Sequence, residues 1–281
     1  MISTSRTRFS AELGRTAAIR QNIDKLSTQL ATQKSVQVAS DDPLAAVRLS
    51  GLRRDQGNNA AYAANADTAA TLATRADAGL ATVTTRLNRA RELTIMAATD
   101  TYSPEQRSGF ATELRGIAAD IANAATQKDS RGQDVFPAGA PFAFPVAEGV
   151  TATGTVSRDT AFAGVQTAAG PQSIADILEA AARAAESGSS ADRTAAVDAV
   201  AAASDHVIAA QGSHGIEAAK IDTVREAVTE SGLALTDARA GVEGVDTAAL
   251  ITMIKTQMTT LDIANEVFGK LNTKSLFDIL G

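Results

Sequence analysis

The side chains that could do chemistry are few and scattered. His206 and His214 are the two histidines of the chain, and cysteine is absent. The histidines lie eight positions apart, two turns of a helix, and no cysteine or tight carboxylate cluster completes a ligand set around them. Both are read as surface residues. Asp41 and Asp42 could be taken for metal ligands, but Pro43 follows them, and an aspartate before a proline starts a helix. Asp42 would cap free backbone N–H groups and Pro43 would take the first helical position, with no metal required. Gly241 and Gly244 have part of the spacing of a phosphate-binding loop, without the preceding strand, the third glycine or a Walker lysine. Arg86, Arg89 and Arg91 form a short basic run with no aromatic platform beside it, which fits a solvated or intersubunit face better than a nucleic-acid site. No catalytic, cofactor-binding or metal-binding residue is expected, and no cofactor.

The chemistry of this chain must then lie in its surfaces, and the ends carry the strongest pattern. Leu250, Ile254, Gln257, Leu261, Ala264, Phe268 and Leu271 follow one another in alternating steps of four and three, a heptad-like helical seam that is apolar at every position but Gln257. Ile251, Met253, Met258, Ile263 and Val267 widen the apolar surface beyond one stripe. A helix so apolar needs cover on more than one side. The N-terminus offers a match in Ile19, Ile23, Leu26 and Leu30, with Phe9 and Leu13 before them. Chain ends are usually polar and frayed, and these are not. They could close on each other within one molecule or bury themselves against other subunits; their width and low charge favour the second. In a single free chain neither end has enough partners to offset the entropy of ordering it.

The elements between the ends are mostly helical. A first helix is expected over about 5–34. Pro43 opens a long second helix, weakened but not ended by Gly51, Gly57 and Gly79, and Ser103-Pro104 opens a third that carries Phe110, Leu114, Ile117 and Ile121 on one face. From 135 to 171 the composition shifts to Pro, Gly and Thr/Val alternation, a small β-rich insertion. Helix returns at Ser173, a long helix runs from Asp192 to Arg239, and Asp246 caps the last. The fold expected is mainly α, a long antiparallel helical rod of N- and C-terminal halves, with helical regions 41–134 and 173–244, terminal helices in 1–40 and 245–281, and an outer insertion at 135–172.

Composition agrees. The hydrophobic share is 44%, the aromatic share 4%, and the net charge −6. Alanine-rich, aromatic-poor content suits slender, closely packed helices, and the acidic balance offers no field for phosphates, so no nucleic-acid partner is expected. No apolar run is long enough for a bilayer, so no membrane association is expected. Met1–Ser10 is polar and carries Arg6 and Arg8, unlike a cleaved signal. The chain reads as cytosolic or as exported without a cleaved signal.

Several strings carry a family resemblance. Leu26-Ser-Thr-Gln-Leu-Ala-Thr-Gln-Lys and Ala39-Ser-Asp-Asp-Pro-Leu-Ala-Ala resemble the N-terminal signature of the flagellin superfamily. The Asp41-Asp42-Pro43 step resembles its hook-associated protein 3 branch, where filament flagellins have Asp-Asp-Ala-Ala-Gly. Leu87-Asn-Arg-Ala-Arg-Glu-Leu-Thr, which includes Arg89, Glu92 and Leu93, is similar to the rod segment of both branches, as is Ser103-Pro-Glu-Gln-Arg. Thr126-Gln-Lys-Asp-Ser-Arg-Gly-Gln-Asp-Val-Phe136 resembles the branch's entry into its outer domain. Gly244-Val-Asp246 and the close Ser275-Leu276-Phe-Asp-Ile-Leu280 resemble its end, and the Pro-Gln-x-Val-Leu ending of filament flagellin is missing. The stretch 138–171 matches no family motif.

The resemblance implies a structural subunit with no enzymatic activity, one of a ring of copies of itself at the hook–filament junction of the bacterial flagellum. It would join hook-associated protein 1 to flagellin. It also implies passage through the flagellar export apparatus with a secretion chaperone, to an extracellular place. The subunit-interface residues would be Ile19, Ile23, Leu26 and Leu30 with Leu250, Ile254, Leu261, Phe268 and Leu271. A minor filament flagellin and a soluble helical binding module are the alternatives.

Overall fold

The structure, a computed structural model, describes the backbone of residues 2–280 and the side chains of residues 10–270. It is mainly α. Among the described residues seven helices run α1 Ile2–Thr32, α2 Pro43–Ala98, α3 Pro104–Ala125, α4 Arg158–Phe162, α5 Ile174–Ser187, α6 Ser190–Glu243 and α7 Thr247–Leu280. Four short strands, β1 Ala143–Ala147, β2 Val150–Thr153, β3 Val165–Thr167 and β4 Gly170–Gln172, form two antiparallel hairpins. The chain divides into two compact units, one of residues 58–232 and one of 1–57 with 233–281.

In the 58–232 unit the core is built on one unbroken seam of α2. Ala66, Ala69, Ala73, Ala76, Leu80, Val83, Leu87, Ala90, Thr94 and Ala97 are all buried and follow one another in steps of three and four. The seam is alanine from Ala66 to Ala76, carries larger aliphatics at Leu80, Val83 and Leu87, and ends in Ala90, Thr94 and Ala97. Around the second half pack Leu114, Ile117 and Ile121 of α3, Ile174, Ile177 and Leu178 of α5, and Val200, Ala203 and Val207 of α6. Burying each Leu or Ile contributes about 1.5–3 kcal/mol. The helix starts are fixed locally: Ser103 and Gln106 form a reciprocal capping box at α3, and the hydroxyls of Ser157 and Ser173 accept from backbone N–H groups at α4 and α5.

The alanine part of the seam holds the first hairpin of the insertion. Val146 and Ala152 of the first hairpin and Ile221 of α6 pack on Ala66, Ala69 and Ala73. Gly154 sits so close to α2 that a Cβ there would lie 2.5 Å from the Ala69 carbonyl oxygen. Gly79 answers in the other direction, since its missing side chain is the space filled by the Phe136 ring, which meets Phe162 edge-on with centroids 5.0 Å apart. A glycine inside a helix costs about 1 kcal/mol against alanine, and here the room it leaves admits a buried aromatic. The glycines at 51, 57, 79, 212 and 215 interrupt neither long helix.

Candidate functional site: a helix pair made from the two chain ends

In the unit made from the chain ends, α1 and α7 pack against each other. The covered residues are those on the 3–4 seams. Ile19, Ile23, Leu26 and Leu30 of α1 are half-buried, as are Ile254, Gln257, Leu261, Ala264 and Phe268 of α7, and Leu250 is buried. The side chains of Phe9, Leu271, Ser275 and Leu276 lie outside the described residues. The pairing leaves a gap of about 170 Å³ beside Ile23, Met258 and Leu261, rimmed by Arg20, Asp24 and Asp262. Leu13 is 51% exposed.

The pairing covers one face of α7 and leaves another bare. Ile251, Met253, Met258, Ile263 and Val267 are 43–57% exposed. Met253, Thr256, Thr260, Ile263 and Val267 again follow steps of three and four, so they line a second stripe roughly 100° around the helix from the first. The hydroxyls of Thr256 and Thr260 donate to the carbonyls of Thr252 and Thr256 at 2.9 and 2.8 Å, which satisfies them within the helix. The second stripe thus joins Met253, Ile263 and Val267 through two threonines whose hydroxyls are already bonded.

Local chemistry fixes where these helices start and turn. Asp246 Oδ1 accepts from the N–H groups of Ala248 and Ala249, both at 3.0 Å, and caps α7. Asp42 Oδ1 accepts from the Ala45 N–H at 2.9 Å, and Pro43 is the first residue of α2. Asp41 instead braces the turn before that helix. Its Oδ2 accepts from the N–H groups of Gln37 and Val38, both at 3.1 Å, and its Oδ1 pairs with Lys25 Nζ at 2.9 Å. The Lys25 contact and these two backbone donors hold the Asp41 carboxyl below the usual range. The turn after α1 also closes the end of α6. The Ser35 N–H donates to the Glu243 carbonyl at 2.8 Å, and the Ser35 hydroxyl is within 3.1 and 3.2 Å of the Val242 and Glu243 carbonyls. Burial acts to raise the Glu243 carboxyl, but Arg239 at 3.1 Å, with Lys34 and Arg53, outweighs it and holds the group low.

No local signal in the sequence marks Ser35 and Glu243, because their contact joins residues 208 apart. His214 corrects an expectation. It is 1% exposed, with Nε2 3.0 Å from the Ala73 carbonyl oxygen and Nδ1 without a partner. A signal did exist: Val200, Ala203, Val207, Ala210, His214, Ile221 and Val228 share one helical register, and alanine faces the histidine on α2. His206 is half-buried rather than on the open surface. The basic run is engaged within the chain at two of its three positions. Arg89 Nε lies 2.7 Å from Glu113 and Nη1 3.0 Å from Glu92, and Arg86 lies 3.1 Å from Asp120. Leu93 is fully buried. Among the described residues no group of three His, Asp or Glu is placed to hold a metal ion, and no helix is long and apolar enough to cross a membrane.

The comparisons with known proteins meet this geometry. Residues 8–138 match the bacterial flagellin N-terminal helical region. Over 112 residues the chain is 34% identical to flagellar hook-associated protein 3 of Salmonella typhimurium and 30% identical to that of Escherichia coli. The aligned stretch covers 40% of this chain and 35% of each relative, so the chain spans about a third of the length of the curated relatives it matches. Among solved structures, a putative flagellar hook-associated protein of Vibrio parahaemolyticus aligns with a TM-score of 0.65 at 20% identity, over 73% of this chain and 100% of that one. Flagellar hook associated protein-3 of Legionella pneumophila aligns with a TM-score of 0.58 at 13% identity, over 68% and 98%. These structures share the fold. The Asp-Asp-Pro turn and the capped terminal helices thus lie on a chain that is similar in its N-terminal region to bacterial flagellins and, over 112 residues, to flagellar hook-associated proteins 3.

Proposed function

We propose that this chain is a structural subunit of the bacterial flagellum that sits at the hook–filament junction and joins hook-associated protein 1 to flagellin. The observation that carries the reading is the second apolar stripe of α7, exposed beside a seam that α1 has already covered. A helix with two apolar faces, one of them covered by α1 and the other exposed among the described residues, has a surface left for a neighbouring subunit. The name of the curated relatives, flagellar hook-associated protein 3, supplies the structure in which that neighbour would be found. In this reading residues 1–40 and 245–281 form an inner tube in a ring of identical subunits. Ile19, Ile23, Leu26, Leu30, Leu250, Ile254, Leu261, Phe268 and Leu271 set the helix pair, and Met253, Ile263 and Val267 face the next subunit. Regions 41–134 and 173–244 form a surrounding layer, and 135–172 faces outward. The chain travels through the flagellar export apparatus with a secretion chaperone.

Deleting the gene tests the role. The expected result is cells that secrete flagellin into the medium and build no filaments. Cells that keep filaments of altered shape would contradict the junction role and favour a minor flagellin, a reading that the flagellin N-terminal match supports. Restoring the gene with Met253→Asp and Ile263→Asp is expected to leave secretion intact and filaments absent; normal filaments would remove the second stripe from the account.

A further inference from the structure

A second pair of surfaces, both within the 58–232 unit, fit each other and cannot meet in one chain. The first is the β1–β2 hairpin. Phe142 at its entry is 67% exposed, and its ring stands edge-on to Phe144 with centroids 4.8 Å apart. The second is a groove of about 520 Å³ between α5 and α6. Ile177 lies at its base, Ala180, Ala184, Ala195 and Ala199 form its sides, and Ala168 of the β3–β4 turn closes one end. The small side chains along its walls leave that space open.

Charge agrees with shape. Glu148 stands at the hairpin turn and Arg183 at the groove rim; both are exposed, and neither forms an ion pair among the described residues. The groove's acidic residue, Asp192, is occupied by the Ser189 N–H and hydroxyl at 2.8 and 2.7 Å. The groove therefore offers one uncommitted charge, positive, to a hairpin whose turn is negative.

Helix geometry keeps the two apart within a molecule. The hairpin is tied to the start of the core seam by Asn65, which donates to the Pro145 carbonyl at 2.7 Å. The groove is tied to the other end by Arg193, whose guanidinium lies 2.9 Å from Asp100. The rise of α2 from Asn65 to Ala98 is about 50 Å.

We propose that Phe142 of one copy seats in the α5–α6 groove of a second copy, with Glu148 beside that copy's Arg183. This rests on the reading that the chain assembles with itself, and it names a contact away from the terminal helices. A phenylalanine entering such a groove buries about 150–250 Å². Because the two surfaces differ, the contact is head-to-tail and repeats from copy to copy.

The absence of cysteine makes the test direct. Full-length chain carrying Ala143→Cys is mixed with full-length chain carrying Ala184→Cys under mild oxidation. The expected product is a mixed disulfide dimer, well above the yield with Asn88→Cys, an exposed control on α2. Adding Phe142→Ser to the hairpin partner lowers the yield about tenfold, the loss expected for an aromatic anchor. Glu148→Arg lowers it less, and Arg183→Glu in the other copy restores it. No dimer, a yield equal to the Asn88→Cys control, or indifference to Phe142→Ser would each overturn the proposal. Repeating the mixture with Met253→Asp and Ile263→Asp in both copies separates the two contacts: the dimer is expected to persist, while loss of filaments in cells reports on the terminal helices alone.

Discussion

The two units of this chain spend their apolar residues in opposite ways. In the 58–232 unit Leu80, Leu87, Leu93, Leu114, Ile121, Ile174 and Leu178 are shut away from water. In the unit made from the chain ends, Leu49 and Leu250 are the buried hydrophobic residues among those described, while Leu13, Leu44, Val47, Leu233, Met253, Ile263 and Val267 are exposed. The same heptad-like spacing occurs in both. The difference is the number of neighbours: the α2 seam meets α3, α5 and α6, whereas α7 meets α1 and, among the described residues, leaves its second stripe uncovered. One unit is a finished core. The other is half of one.

Substitution should expose that contrast. Leu114→Ala, in the finished core, is expected to destabilise the folded monomer by about 2–5 kcal/mol. Ile23→Ala on the half-covered seam should cost roughly 1 kcal/mol in the monomer, since about half its surface is already in water. Thermal or denaturant unfolding of the two variants checks both values, and equal losses would break the comparison. Gly154→Ala drives a methyl group into the Ala69 carbonyl and should cost about 1–3 kcal/mol, read as faster amide exchange in 143–153 with little change in α7. Asp246→Ala removes the α7 cap and should cost about 1 kcal/mol, read as fraying of the first α7 turn.

The smallest effect expected is that of pH on the turn between α1 and α2. Asp41 and Glu243 both have carboxyls held low in the folded chain. Their contribution is therefore fully present above the ordinary carboxylate range near about 4, and it is lost as the pH falls through their lowered folded values. Protection of the Gln37 and Val38 amides, taken relative to the intrinsic exchange rate at each pH, should fall on that acid side, and Asp41→Asn should flatten the dependence.

Much of this is legible in the sequence because it is local. The spacing of Leu250, Ile254, Leu261 and Phe268 marks a covered stripe, and those residues are the half-buried or buried ones. Asp42-Pro43, Ser103-Pro104, Ser173 and Asp246 mark helix starts, since a cap bonds within three residues of itself. What escapes depends on distant chain. Ser35 closing α6 and Gly79 making room for Phe136 have no sequence neighbour to announce them. His214 escapes for another reason: its polar type points to the surface, while its place in a regular apolar register points inward. Alanine on the facing helix decides between them by giving the ring both space and a carbonyl partner. The second stripe of α7 is visible as excess apolar surface, but which face α1 covers takes the fold to decide.

The measurement closest to the central claim is backbone hydrogen exchange on the purified monomer and again on intact flagella that contain it. The account predicts that 10–32 and 247–270 exchange much faster in the monomer than α2, α3 and α5 of the core, and that both become protected on assembly. Terminal helices as protected in the monomer as Leu87 and Leu114, with no gain on assembly, would mean that α1 and α7 already satisfy each other, and the claim would fail.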